Sequence, residues 1–251
     1  MNQHLYIVTG ASRGMGLAIA GQLLKPGNTL LCIARTPNDA LGSRAGAAGA
    51  TLVQWPQDLA FGLQASARLK QWLDQQDGAS FTSATLINNA GVVPRIGPLS
   101  DADAADLAQA LRVGLEAPMQ LTAAFLGATQ HWAAARKVLN ISSGLGRRAM
   151  ASQVAYCAAK AGMDHFTRCV ALEEALKPNG AAVSSLAPGV IDTDMQVQLR
   201  SADASAFPDQ GNFARLKAND QLSSPAEAAT RVLAYLARPQ FGVNPVGDVR
   251  D

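Results

Sequence analysis

Tyr156 and Lys160 stand four residues apart in Tyr156-Cys157-Ala158-Ala159-Lys160, and Ser143 lies thirteen residues upstream in Asn140-Ile141-Ser142-Ser143-Gly144. The length and apolar recurrence of the stretch from about Ser152 to Leu176 predict a helix. Helical spacing places the phenol and the amine on one face. An ammonium beside a phenol favours the phenolate and lowers its pKa from the ordinary value near ~10. Such a pair points to acid–base chemistry at cellular pH. An ordinary amphipathic helix carries the same short pattern, so the pair acquires meaning only from what positions it.

The positioning elements begin at the N-terminus. His4-Leu5-Tyr6-Ile7-Val8 reads as a short buried strand. It runs into Thr9-Gly10-Ala11-Ser12-Arg13-Gly14-Met15-Gly16, and the helical pattern Leu17 to Leu24 follows. Strand, glycine-rich turn and helix N-terminus together form an anion cradle. Gly10 and Gly14 let the backbone turn and approach a diphosphate, while Gly16 lets helix pack on sheet.

Further strand-like segments are Thr29 to Ala34, Thr51 to Trp55, Ala84 to Ile87, Lys137 to Ile141 and Ala181 to Leu186. Helical stretches lie between them, including Leu63 to Gln75 and Ala102 to Trp132, with Pro118 expected to kink or interrupt the latter. The Ala/Gly run Ala45 to Ala50 reads as a helix tail or a loop. Alternation of this kind predicts an α/β fold, a single-domain Rossmann-type doubly wound parallel sheet with helices on both faces, over residues 1–251. Ligands are then expected at the carboxyl ends of the strands, where the motifs sit.

Composition narrows the classes. With 251 residues and 48% hydrophobic content, the chain can bury one substantial core. A formal net charge of +2 gives no argument for nucleic acid or an anionic membrane surface. No segment approaches the ~18 apolar residues of a membrane span, and a strand starting at residue 4 leaves no room for a signal peptide. Cys32, Cys157 and Cys169 show no metal spacing, and their odd number argues against a disulfide framework. Cys157 and Cys169 are expected to pack within one helix, and the cytoplasm is the expected compartment. His4, His131 and His165 are scattered, so no metal site is expected.

Taken together, the motifs resemble those of the short-chain dehydrogenase/reductase family over nearly the whole chain. Thr-Gly-x-x-x-Gly-x-Gly at residues 9 to 16 is similar to its cofactor signature, and Asn88-Asn89-Ala90-Gly91 to its strand-4 motif. Ser143, Tyr156 and Lys160 resemble its catalytic set; Pro188-Gly189, Ile191 and Thr193 resemble the segment closing over a nicotinamide. The resemblance implies cofactor contacts from Gly10, Ser12, Arg13, Gly14, Met15, Gly16, Asn89, Ala90 and Gly91, as well as from Tyr156 and Lys160. Asp58-Leu59 matches the family's adenine-contacting pair, though an Asp capping the following helix reads equally well. At the end of the second strand, Ala34 occupies the slot of the family's NAD-type acid, and Arg35-Thr36 follow. Arg13 and Arg35 suit a 2′-phosphate, so NADP(H) is the expected cofactor.

The mechanism implied is carbonyl reduction, with Tyr156 giving a proton to the substrate oxygen, Ser143 binding that oxygen and Lys160 holding the nicotinamide ribose. Ala187 to Gln196, Tyr156 to Lys160 and Phe213 to Lys217 resemble the sepiapterin reductase branch, which includes bacterial benzil-type diketone reductases. Asp248 falls where that branch anchors a pterin ring, and a carboxylate can accept two parallel N–H bonds from an aminopyrimidinone. Residues 192–220, polar and broken by Pro208 and Gly211, are expected to form a substrate lid that is mobile until ligand binds. One departure stands out: Gly114 in Arg112-Val113-Gly114-Leu115 replaces the asparagine the family uses to kink this helix and hold a water in a proton relay. Glycine permits the kink without supplying the amide, so another group must substitute or turnover slows. Alternative expectations are a 3-oxoacyl thioester reductase, disfavoured by the missing Asp-Gly-Gly ending, and a non-catalytic NADP-binding regulatory protein. Family habit implies a homodimer or homotetramer joined through residues 102 to 132 and 152 to 176.

Overall fold

β-Branched and aliphatic runs in this chain pair into one sheet. The computed structural model describes residues 3–251. Its strands are β1 (Gln3–Thr9), β2 (Asn28–Ala34), β3 (Thr51–Pro56), β4 (Phe81–Asn88), β5 (Ala135–Ile141), β6 (Ala182–Ala187) and β7 (Val246–Asp248). All neighbours are parallel, in the order β3-β2-β1-β4-β5-β6-β7. β7 goes beyond the six strands expected; its register pairs Leu186 with Gly247 and Ala187 with Asp248.

Strand alternation divides the core between two faces. Leu5, Ile7, Leu31, Ile33, Leu86 and Val138 point to one side, where they meet α3 (Gly62–Asp74) and α5 (Ala117–Thr129) through Leu69, Leu73, Leu121 and Phe125. Val8, Leu30, Cys32, Ile87, Leu139 and Leu186 point to the other, against α1 (Gly14–Leu23), α2 (Asp39–Ala48) and α9 (Pro225–Leu236). Both faces being covered, the strands read as continuous apolar runs. The Ala45 to Ala50 run is the end of α2, which stops at Gly49 in the left-handed conformation (φ 65°).

Ala102 to Trp132 is interrupted just before Pro118: α4 (Ala104–Leu111) runs into a π-helical turn (Arg112–Glu116) and then α5, with Pro118 in the first turn of α5. The expected helix from Ser152 is α6 (Val154–Ala175), which carries both Cys157 and Cys169; Cys169 is exposed rather than packed. The polar stretch 192–220 is no loose loop. It holds α7 (Asp194–Arg200) and α8 (Gln210–Ala218), and Phe207 between them is fully buried and stacked on Phe213. Among the described residues no helix is long and apolar enough to cross a membrane.

Strand order reverses between β1 and β4, which opens a crevice at the carboxyl edge of the sheet. The turn after β1 and the Asn88-Asn89-Ala90-Gly91 segment after β4 flank it. Asn88 itself faces inward, where its Nδ2 donates to Asn140 Oδ1 (2.8 Å) and Thr122 Oγ1 (3.1 Å) and so ties β4 to β5.

Candidate active site

The crevice is a cavity of about 910 Å³ that runs from the glycine-rich turn past Ser143, Tyr156 and Lys160 to Asp248. Its first wall is the turn from β1 into α1. Gly10 (φ 69°) and Gly14 (φ 55°) are left-handed, as a tight turn there requires. A Cβ on Gly16 would stand 2.1 Å from the Gly10 carbonyl oxygen, so only glycine lets α1 begin this close to the sheet. Thr9 Oγ1 accepts from the amides of Asn89 (2.9 Å) and Ala90 (3.0 Å), and Asn89 Nδ2 returns a bond to Thr9 O (2.9 Å). Turn and strand-4 segment are thus one rigid unit, with the unbonded amides at the start of α1 facing the cavity.

Most of the residues expected to hold a dinucleotide share this wall: Gly10, Ser12, Arg13, Gly14, Met15, Gly16, Arg35, Asp58, Leu59, Asn89, Ala90, Gly91, Pro188, Gly189, Ile191 and Thr193. Thr36 does not; it is exposed at the end of β2 and lies outside the cavity lining, because the chain has already turned towards α2. Arg35 is exposed and forms no ion pair among the described residues. Arg13 is paired with Asp194 at the start of α7, so one of the two expected guanidinium groups is already engaged by an acid. Asp58 caps the short turn Leu59–Phe61 through Ala60 N (2.9 Å), as the capping reading expected, and also lines the cavity.

The catalytic candidates converge from three places. β5 ends at Ile141, and Ser143 follows in extended backbone with its Oγ accepting from Leu145 N (3.2 Å). Tyr156 and Lys160 share a face of α6, and Nζ lies 5.8 Å from the phenol ring centroid. Lys160 is buried, and its Nζ donates to Ile141 O at 2.7 Å. That carbonyl supplies an anchor for the ammonium where Gly114 offers no amide. Burial pulls the Lys160 pKa down to about 8, while the Asp164 carboxylate one turn on opposes the shift.

The phenol does not behave as the sequence suggested. Burial raises the pKa of Tyr156 above the usual tyrosine value; the Ser143 hydroxyl pulls it down less strongly, and Cys157 adds a small upward push. Lys160 Nζ, 5.8 Å from the ring centroid, donates to Ile141 O. At neutral pH the phenol therefore keeps its proton, which makes it a donor.

At the far end the cavity meets β7 and the 192–220 segment. Asp248 is buried, and Arg250 closes on its carboxylate with Nε to Oδ1 (2.7 Å) and NH2 to Oδ2 (2.6 Å). That fork holds its pKa below the usual carboxylate range. The edge read as a pterin anchor is thus occupied by a guanidinium of the same chain. Asp192 is bound by Lys217 (2.8 Å) and Arg200 (3.2 Å), which tie α8 and α7 together.

Three residues here were not anticipated. Asp164 is buried beneath the site, accepting from Ser185 Oγ (2.6 Å) and Arg147 Nε (3.2 Å); its spacing from Lys160 was the available signal. Gln153, one turn before Tyr156, and Gln196 of α7 are buried polar groups in the cavity wall.

Comparison with known proteins finds relatives over nearly the whole chain. Residues 4–204 match the family model described as short chain dehydrogenase. The chain is 35% identical to "Benzil reductase ((S)-benzoin forming)" of Bacillus cereus over 97% of its own length and 96% of that protein. It is 33% identical to sepiapterin reductase of Meriones unguiculatus over 94% of its length and 92% of that protein. The crystal structure of the KRED1-Pglu enzyme superposes with a TM-score of 0.82 at 26% identity, covering 98% of this chain and all of that one.

Proposed function

The chain belongs to the short-chain dehydrogenase family, and from that premise we propose that it is an NADPH-dependent carbonyl reductase acting on ketones of the diketone class. One observation carries the reading: Ser143, Tyr156 and Lys160 meet on the wall of a cavity whose other end is an anion cradle closed to any residue but glycine at position 16. When bound there, a reduced nicotinamide supplies the hydride.

The chain's own groups supply the rest. Tyr156, kept protonated by burial, gives its proton to the carbonyl oxygen. Ser143 donates a hydrogen bond to that oxygen as negative charge grows on it. The buried ammonium of Lys160, next to Gly91, would hold ribose hydroxyls and offset charge left on the phenol. A neutral phenol suits reduction better than oxidation, which needs the phenolate. Arg35 and the absence of an acid at Ala34 support NADP(H) over NAD(H). Residues 192–220 act as the lid in this reading, and the Arg13–Asp194 pair joins the lid to the cradle. Similarity to a benzil reductase and a sepiapterin reductase supports a diketone or a pterin side-chain ketone as substrate. Exposed Leu111, Met119, Leu172 and Leu176 on α4 to α6 and the following residue support a homodimer or homotetramer formed there, and three free thiols suit a reducing cytoplasm.

Consumption of NADPH, and of NADH in parallel, with benzil, sepiapterin and an acetoacetyl thioester tests the reading. Tyr156→Phe should lower kcat by roughly 10²-fold or more, the scale of general acid catalysis, while NADPH still binds with near wild-type affinity. Full turnover by that variant would sink the proposal.

A further inference from the structure

The cavity wall carries polar atoms that proton transfer to a single carbonyl does not use. Ser142, Gln153 and Gln196 all line it, all are buried, and each has a side-chain atom with no hydrogen-bond partner in the protein. Gln153 is the extreme case: it is 1% exposed, and neither Oε1 nor Nε2 is bonded. Its position just before α6 would suit a capping side chain, yet it makes no capping bond. Only its backbone carbonyl is engaged, by Cys157 N at 2.8 Å. A buried amide with both halves unsatisfied bears the full cost of desolvation, and such groups call for a specific cause.

Position suggests the cause. The turn into α6 is fixed by Ser152, which is left-handed (φ 62°) and donates its Oγ to Ala206 O, in the 192–220 segment, at 2.6 Å. Gln153 is thereby fixed at the start of α6, three residues before Tyr156, and both side chains belong to the lining of the same cavity. Two polar side chains on one cavity wall suit two oxygens of one substrate. The amide is uncharged and can donate as well as accept, which matches a second neutral oxygen rather than a carboxylate.

We propose that Gln153 determines specificity for substrates with an oxygen on the carbon next to the reacting carbonyl, with vicinal diketones as the class. Nε2 donates to the second carbonyl, which survives the reaction, and Oε1 accepts from the hydroxyl formed on the neighbouring carbon. The bond changes stay where the proposed reduction puts them: hydride adds to one carbonyl carbon, its C–O π pair takes the proton of Tyr156, and NADPH is oxidised. Gln153 exchanges neither proton nor electron. This inference rests on the carbonyl-reductase reading and names its substrate class.

The test compares benzil with deoxybenzoin, which keeps the skeleton and replaces one carbonyl by a methylene. Gln153→Met preserves length without polarity, and Gln153→Glu keeps an acceptor but no donor. For both variants the benzil-to-deoxybenzoin ratio of kcat/KM should fall about tenfold, the size of one lost hydrogen bond, with unchanged melting temperature and NADPH affinity. Equal losses on both substrates, the mark of a merely structural role, or an unaltered ratio in the two variants, overturn the proposal while leaving carbonyl reduction standing. Absence of wild-type turnover with both of these ketones overturns this inference, and absence with sepiapterin and the acetoacetyl thioester as well removes the carbonyl-reductase reading itself.

Discussion

Arg250 engages both oxygens of Asp248, and this settles what that carboxylate can do for a ligand. A guanidinium and the donor edge of an aminopyrimidinone present the same pair of parallel N–H groups, so they compete for one acceptor. The arginine side chain is 72% exposed whereas that of the aspartate is 9% exposed, so the pair resembles a lid over a buried acid more than a structural brace. Arg250→Ala leaves the buried carboxylate short of a partner and should cost roughly 1–3 kcal/mol of stability. It should raise the preference for sepiapterin over benzil in kcat/KM by about tenfold, as charge-assisted bonds become available to the pterin. A lowered or unaltered preference in parallel assays would show that Asp248 does not face the substrate. Sequence reading located Asp248 in the cavity wall, but the partner two residues later was hidden, because a terminal Val-Arg-Asp has no periodicity to read. The same limit explains Tyr156: spacing showed the lysine sharing its face, whereas burial, which decides the sign of the shift, is a property of the folded site.

The π-helical turn between α4 and α5 is the element most particular to this chain. Insertion of one residue per turn at Arg112–Glu116 swings Gly114 against α6, and a Cβ there would stand 3.0 Å from Ala159 Cβ. Bare backbone at this point lets α6 approach, and Ala159 precedes the lysine held by Ile141 O. An asparagine restored at this position has to displace that helix. Gly114→Asn should cost roughly 1–3 kcal/mol by overpacking, seen as a melting temperature several degrees lower, and should not raise activity. Adding Ala159→Gly should recover part of the loss; no recovery in thermal melts would mean that the contact is not the cause. Elements with strong local signals were legible: β1 with its glycine turn, five further strands and α6 all lie within a few residues of where their patterns placed them. β7 was not, since Val246-Gly247-Asp248 has no apolar run and becomes a strand only by pairing with β6. The π turn was legible only as the kink expected at Gly114; its π-helical geometry has no local sequence pattern to announce it.

Across the whole molecule, several of the unpartnered buried groups line the cavity, while Arg136 at the start of β5 and Gln120 in α5 hold others. Apolar cores fill both faces, while the cavity holds unpartnered Gln153, Gln196 and Ser142 and the buried ammonium of Lys160. Stability given up at a site in this way should be recoverable by mutation, with a pH signature that identifies its source. The folded-state pKa of Lys160, about 8, lies below the ordinary lysine value of 10.5. Below the lower value both folded and unfolded chains carry the proton, and folding bears the full cost of burying charge. Between the two values the unfolded chain binds more protons, so stability contributed at this position rises with pH and the penalty has vanished above the upper one. The penalty is at most roughly 3 kcal/mol, less whatever the bond to Ile141 O returns. Lys160→Met, although inactive, should then be more stable than wild type at about pH 7, with an advantage that shrinks steadily as pH climbs through the window from 8 towards 10.5. Urea midpoints of the ligand-free proteins at about pH 7 and about pH 10 decide the matter. An advantage of equal size at both, or a variant less stable at the lower pH, would mean that the ammonium is not the strained group.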